Sequence, residues 1–221
     1  EATPDGLLHI LDKACKQHQD YSLFIRNLSA LHRRRVKYAR ILSGQPLPSI
    51  DQIAPRSLLE FGVCETELLC NWMAWRKWVY DIDNRAGQET GYCFEPVVAS
   101  CLGGEPVGAK YSPVKRLDSR GRPTKRGRQI DCFVPSLNRV YELKIRVSIA
   151  ASGQGRFSEE LSFPRECAAA GFTPMLLVLD PTQSNRLDEL ERAFLDVGGE
   201  CFKGQEAWTH MEETAGDVIS E

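Results

Sequence analysis

Asp131, Glu142 and Lys144 are of the types, and at the spacing, that metal-assisted hydrolysis uses. They fall on two segments, IDCFV at 130–134 and RVYELKIRVSI at 139–149, rich in the β-branched and aromatic residues that favour strands. PSLN between them is turn chemistry, so the pair predicts a hairpin. A turn centred between Ser136 and Leu137 sets Phe133 opposite Val140 and Asp131 opposite Glu142. Lys144, two residues past Glu142, shares its face. Two facing carboxylates repel and weaken a hairpin unless something offsets them. A hard divalent cation does so, and Mg2+ prefers carboxylate oxygens. A lysine alongside can orient and help deprotonate an attacking water. The same D-x10-E-x-K spacing also fits a surface hairpin in which Lys144 simply pairs with Asp131 or Glu142, and so short a motif recurs by chance. The other face, Ile130, Cys132 and Val134 against Tyr141, Leu143 and Ile145, is almost wholly apolar and is expected to be core.

The elements that must position these residues follow from periodicity. Residues 5–19 and 20–43 predict two helices, with Gly44 as the stop of the second. A short helix from Pro55 to Gly62 is expected, then a helix over 65–80 in which Leu68, Leu69, Trp72, Trp75 and Val79 recur at helical spacing. A helix over 88–102 ends at Gly103-Gly104, with Pro96 tolerable only near its first turn or at a kink. A strand at 107–113 and a basic loop precede the hairpin. A helix over about 157–170, a buried strand at 174–180, a helix over 185–197 and a short strand near Cys201 follow. From residue 88 the order is α-β-β-β-α-β-α, an α/β sandwich on a mixed sheet. The chain is expected to divide into a helical region 1–83 and a core 84–221 with a C-terminal extension.

Charge is sorted along the chain. Between Arg26 and Arg40 there are six basic residues and no acid. Between Lys110 and Arg128 there are eight basic residues against Asp118 alone. From Asp180 onward eleven acids face only Arg186, Arg192 and Lys203. Two basic segments on an acidic body suggest a polyanion held at one face. The first segment also fits the solvated face of a helix. The second, RLDSRGRPTKRGR, predicts a loop that repels itself unless an anion occupies it. Lys115, Arg116, Arg120, Arg122, Lys125, Arg126 and Arg128 are its candidate DNA-binding residues, expected to be mobile until DNA orders them. Gln154 and Arg156 in SGQGR follow the second strand and lie within reach of bases or the scissile phosphate; equally, the glycines make a turn and the polar residues are solvated.

A hairpin carrying D…ExK, preceded by a helix with an acid, here Glu95 in GYCFEPVVASCLGG, and followed by a helix and a buried strand, resembles the PD-(D/E)xK nuclease superfamily over residues 88–180. Ile130 stands where the superfamily's name has proline. The resemblance implies a restriction-endonuclease-like α/β core, a mixed sheet flanked by helices, beside the all-helical N-terminal part. It implies Asp131 and Glu142 as metal ligands, Lys144 as the catalytic lysine and Glu95 as the acid of the first core helix, with Glu89 a competitor on the same segment. RKWVYDIDNRAGQETGYCFEPVVASCLGG, GRQIDCFV and YELKIRVSIAASGQGRFSEELSFPRECAAAGFTP are similar to ApaLI-type restriction endonucleases. That similarity implies a Mg2+-dependent type II enzyme cutting a short palindrome in double-stranded DNA, usually as a homodimer. A structure-specific repair or recombination nuclease of the same fold, and a DNA-binding module without catalysis, are the alternatives.

Composition sets the outer bounds. With 221 residues, 42% apolar and 26% charged, the chain has ordinary globular composition, which excludes disorder as the main state. No apolar run approaches the roughly 20 residues of a membrane span. The eight cysteines form no C-x-x-C pair, and no zinc site is expected. The chain opens on Glu1 without a signal-peptide pattern, and a cytoplasmic location is expected.

Overall fold

The computed structural model describes residues 3–17, 20–44, 62, 65–78, 84–146, 154–181 and 185–215. The short helix expected from Pro55 and the strand residues beyond Arg146 lie outside these. The chain packs as two units, Ser29–Thr90 and a second made of Glu1–Leu28 with Gly91–Glu221.

The N-terminal elements are helical as expected: α1 (Pro4–Gln17), α2 (Tyr21–Ser43) and α3 (Thr66–Lys77). The next helix, α4 (Asn84–Cys101), begins four residues earlier than its periodicity suggests. Pro96 therefore lies in the helix interior, where it removes one backbone donor, and not in the first turn. Within the smaller unit, the Arg34 guanidinium donates to the Ala86 carbonyl at 2.9 Å and to Thr90 Oγ1. Lys37 pairs there with Glu89 at 3.0 Å.

The larger unit is built on a five-stranded mixed sheet of order β1-β4-β5-β6-β7. Its strands are β1 (Glu105–Val107), β4 (Ile130–Val134), β5 (Arg139–Arg146), β6 (Thr173–Asp180) and β7 (Glu200–Lys203). β1, β4 and β5 pair antiparallel. The steps β5 to β6 and β6 to β7 are parallel, each crossing through a helix: α5 (Gln154–Ala169), then α6 (Asn185–Leu195). A last helix, α7 (Gln205–Ala215), has no counterpart in the sequence-based expectation.

Both sheet faces are buried, which corrects the expectation of one core face and one polar face. Val98, Ala99 and Leu102 at the end of α4, with Ala207 and Met211 of α7, cover Cys132, Val134, Tyr141, Leu143, Met175 and Leu177. Phe163 and Cys167 of α5, with Leu187, Leu190 and Phe194 of α6, cover Val140, Leu176 and Val178. A strand flanked by parallel neighbours is buried on both sides, and TPMLLVLD is accordingly a continuous apolar run.

The β4–β5 register is the expected one: Phe133 pairs with Val140 and Cys132 with Tyr141. Pro135–Leu137 form a single 3-10 turn, closed by Asn138 at φ 59°. Asparagine tolerates this left-handed conformation better than most residues, and its Nδ2 donates to the Gly171 carbonyl at 2.8 Å. Ile130 departs from the expected face and packs in the second core. The cause is a register shift against β1: Glu105 pairs with Phe133 but Val107 with Ile130, so β4 carries an extra residue there.

Two further segments differ from expectation. Strand β1 stops at Val107, and Tyr111 N–H closes a turn onto the Gly108 carbonyl at 2.9 Å. The basic segment is an antiparallel hairpin, β2 (Lys115–Leu117) and β3 (Pro123–Gly127), where a loop was expected. Its tip is fixed by Asp118, whose carboxylate accepts from the Arg120 and Arg122 N–H groups at 2.8 and 2.9 Å. At its base a Cβ on Gly127 would collide with the Ala109 carbonyl, so that close approach requires glycine.

Candidate active site

The β4–β5 ladder ends at Cys132↔Tyr141. Asp131 and Glu142 come next in register, but they are not a ladder pair. The Asp131 carboxylate instead accepts a hydrogen bond from the Leu143 backbone N–H at 3.0 Å. Directly paired carboxylates, as the hairpin pattern suggested, are thus avoided.

The acids still feel one another. Burial, then the charge of Glu142, then that of Glu95, holds the Asp131 carboxyl well above the usual carboxylate range; the Leu143 N–H and Lys144 oppose the shift. Burial and then Glu142 push Glu95 up as well, with Lys144 pulling it back. Of the two candidate helix acids, Glu95 is the one whose charge Asp131 feels. Glu89 is held by Lys37, and its carboxyl lies below the usual range chiefly through that bond. Gly91 makes room on α4, since a Cβ there would sit 2.8 Å from Glu95 Oε1.

Lys144 Nζ donates to Glu142 Oε1 at 2.9 Å and to Glu160 Oε1 at 3.1 Å. Burial works against its charge, but Glu142, Glu160 and Asp131 outweigh it and hold the ammonium firmly protonated. Glu160 was not singled out from sequence. It lies sixteen residues from Lys144 on the following helix, and no spacing rule connects the two; only the packing of α5 against β5 does.

The donor set is all carboxylate oxygen, the charge of Glu142 raises the Asp131 and Glu95 carboxyls, and a cation already stands beside them. That chemistry suits a hard divalent ion held by Asp131 and Glu142. Among the described residues, no three Asp, Glu, His or Cys side chains are gathered into a ready ligand shell.

The seven basic residues of the hairpin separate into anchored and outward groups. Arg128, expected to contact DNA, is 8% exposed. Its guanidinium pairs with Glu166 at 3.4 Å, donates to the Glu159 carbonyl at 2.6 Å and lies over the Phe163 ring. This corrects its reading as a free phosphate contact: a guanidinium between α5 and the hairpin base is part of the fold. Arg116 pairs with Glu159 at 3.0 Å. Lys115 Nζ donates to the Ser112 carbonyl at 2.7 Å. Arg120, Arg122, Lys125 and Arg126 are exposed. Gln154 and Arg156 lie in the first turn of α5, and their side chains fall outside the described residues.

None of the described helices is long and apolar enough to cross a membrane. Comparison with known proteins gives two findings. The model of a family described as ApaLI-like restriction endonuclease matches residues 5–221. The chain is also similar to the Type II restriction enzyme ApaLI of Acetobacter pasteurianus, 48% identical over 222 residues. That match covers 99% of this chain and 58% of the relative, so the chain spans little more than half the length of the curated protein it resembles. No solved structure matches it.

Proposed function

This chain belongs to the ApaLI-like restriction endonuclease family, and from that premise we propose that it is a type II site-specific deoxyribonuclease. It hydrolyses phosphodiester bonds at a short palindrome in double-stranded DNA, depends on Mg2+, and acts as a homodimer whose two-fold axis matches the palindrome. The observation that supports the reading is that, where the β4–β5 ladder ends, Asp131 is held by the Leu143 N–H and Lys144 bonds Glu142, while Asp131 feels the charges of Glu142 and Glu95, as expected for a site resembling the PD-(D/E)xK pattern.

Asp131 and Glu142 would hold the metal, with Glu95 as the supporting acid of α4. The chemistry supplied by Mg2+ when bound is Lewis-acid polarisation of a phosphoryl oxygen and a more acidic water. Asp131 is oriented for this by the Leu143 N–H. Lys144, an ammonium flanked by carboxylates, donates hydrogen bonds to the attacking water and to the charge that develops on the phosphate. From that position it orients the water and stabilises the developing charge.

The DNA contacts are assigned to the outward residues Arg120, Arg122, Lys125 and Arg126, with Arg116 and Lys115 at the hairpin base. A two-stranded ribbon fits the major groove of B-DNA. Gln154 and Arg156, opening the helix after the catalytic strand, are assigned to the scissile region, and the helical residues 1–83 to DNA contact or subunit pairing. A DNA substrate of this kind assigns the protein to the cytoplasm.

Plasmid incubation with Mg2+ tests the reading. Discrete bands with mapped, identical ends are the expected result. A smear would mean a structure-specific or non-specific nuclease, and intact plasmid a binding module.

A further inference from the structure

We propose that Glu160 is a positioning residue for the cleavage step: it holds the Lys144 ammonium at the Asp131–Glu142 pair from the α5 side. The inference rests on the nuclease reading above and adds to it a residue that the D…ExK pattern does not contain.

Lys144 has two carboxylate partners, Glu142 at 2.9 Å and Glu160 at 3.1 Å. Glu142 is the residue assigned to the metal. Oxygens turned toward a divalent cation are poorer partners for a lysine, so the bond from Lys144 to Glu142 weakens when the site is loaded. A lysine stem is flexible, and its ammonium then wanders unless a second group fixes it. Glu160 is that group.

The position of Glu160 is set independently of the catalytic strand. Its neighbour Glu159 pairs with Arg116 through both carboxylate oxygens, at 3.0 and 3.3 Å. The Glu159 carbonyl accepts from Arg128 at 2.6 Å. Further along α5, Glu166 pairs with Arg128 and accepts from the Leu117 N–H at 3.3 Å. This stretch of α5 is therefore bolted to the β2–β3 hairpin. A carboxylate on so fixed a helix presents a constant partner to Lys144, and it connects the lysine to the segment assigned to DNA.

The experiment uses a duplex carrying the cut site mapped on plasmid DNA. Single-turnover cleavage with Mg2+, affinity with Ca2+ and thermal melting are compared for wild type, E160A, E160Q, E160D, K144A and the K144A/E160A double variant. A loosened ammonium should slow the chemical step of E160A ~10–100-fold, with affinity and melting temperature unchanged. E160D should keep more activity than E160A. The double variant should be no slower than K144A alone, because residues that act as a unit are not additive. Wild-type rates in E160A overturn the inference. So does a slow double variant in which the two effects multiply, or a loss in E160A matched by a fall in melting temperature and affinity, which marks a structural role. A wild-type protein that cleaves no DNA would overturn the nuclease reading itself, a different failure from an active wild type indifferent to Glu160.

Discussion

The Asp131 carboxylate accepts the Leu143 N–H at 3.0 Å, which ties a β4 side chain to the β5 backbone between Glu142 and Lys144. A residue that looks from sequence like half of a repelling carboxylate pair is thereby oriented by a backbone donor. The bond tempers the cost of its charge but leaves it: burial and two neighbouring acids still raise the Asp131 carboxyl.

Asp131→Asn should abolish Mg2+-dependent cleavage and leave the fold intact. In EDTA at neutral pH it should melt higher than wild type. An acid whose folded pKa is raised contributes stability at low pH that is lost as pH rises through that pKa, so the wild type carries the penalty at neutral pH. The advantage of the variant should fade as pH falls into the carboxylate range. Thermal melts across pH check this, and a large loss of melting temperature in EDTA would make Asp131 structural.

Lys144→Ala should bind the cognate duplex in Ca2+ as wild type does and lose cleavage in Mg2+. Its contribution lies in the chemical step, so affinity should hold while the rate falls. Gel shifts paired with cleavage rates decide the matter, and near wild-type turnover would remove Lys144 from the site.

The basic hairpin should respond in two ways. Alanine at Arg120, Arg122, Lys125 or Arg126 should leave stability unchanged. Where the replaced side chain grips a phosphate, the slope of log affinity against log salt should become shallower by about 0.9. Any of these that reads guanine should cost ~1–3 kcal/mol on the cognate duplex alone. Arg128→Ala should instead destabilise the fold by about 3–5 kcal/mol, because it leaves Glu166 buried without its cation. Melting and salt-dependent binding separate the two classes.

His210 should make the core acid-sensitive. It is buried beside the Phe202 ring, and its Nε2 lies 3.0 Å from the Tyr141 hydroxyl. Burial, then Arg139, holds its pKa below the ordinary 6.5. A base with a depressed folded pKa is neutral in both states at high pH, so its penalty grows as pH falls below the unfolded value. The protein should lose roughly 1.4 kcal/mol for each tenfold by which the fold weakens its proton affinity, and His210→Gln should flatten that part of the pH–stability curve. An unchanged curve in the variant would assign the acid loss elsewhere.

Much of this protein was written in local pattern. The 2-residue alternation of IDCFV and RVYELKI and the turn chemistry of PSLN determined the hairpin and its register to the residue, because a one-residue slip would reverse every side chain. TPMLLVLD declared a strand buried on both faces, and the helical periods of α2, α3 and α6 needed no tertiary help. Asp131, Glu142 and Lys144 came from the same pattern. What pattern did not hold was anything depending on a neighbour distant in sequence. That Asp131 feels the charge of Glu95, and that Lys144 meets Glu160, depend on elements brought together from distant parts of the chain. The bulge that moves Ile130 to the other core arises from β1. The basic segment has the composition of a loop, yet it is a hairpin whose Arg128 is swallowed by α5. Charge density alone counts every arginine alike; a guanidinium becomes a fold contact or a DNA contact only when the fold supplies, or withholds, a buried carboxylate beside it.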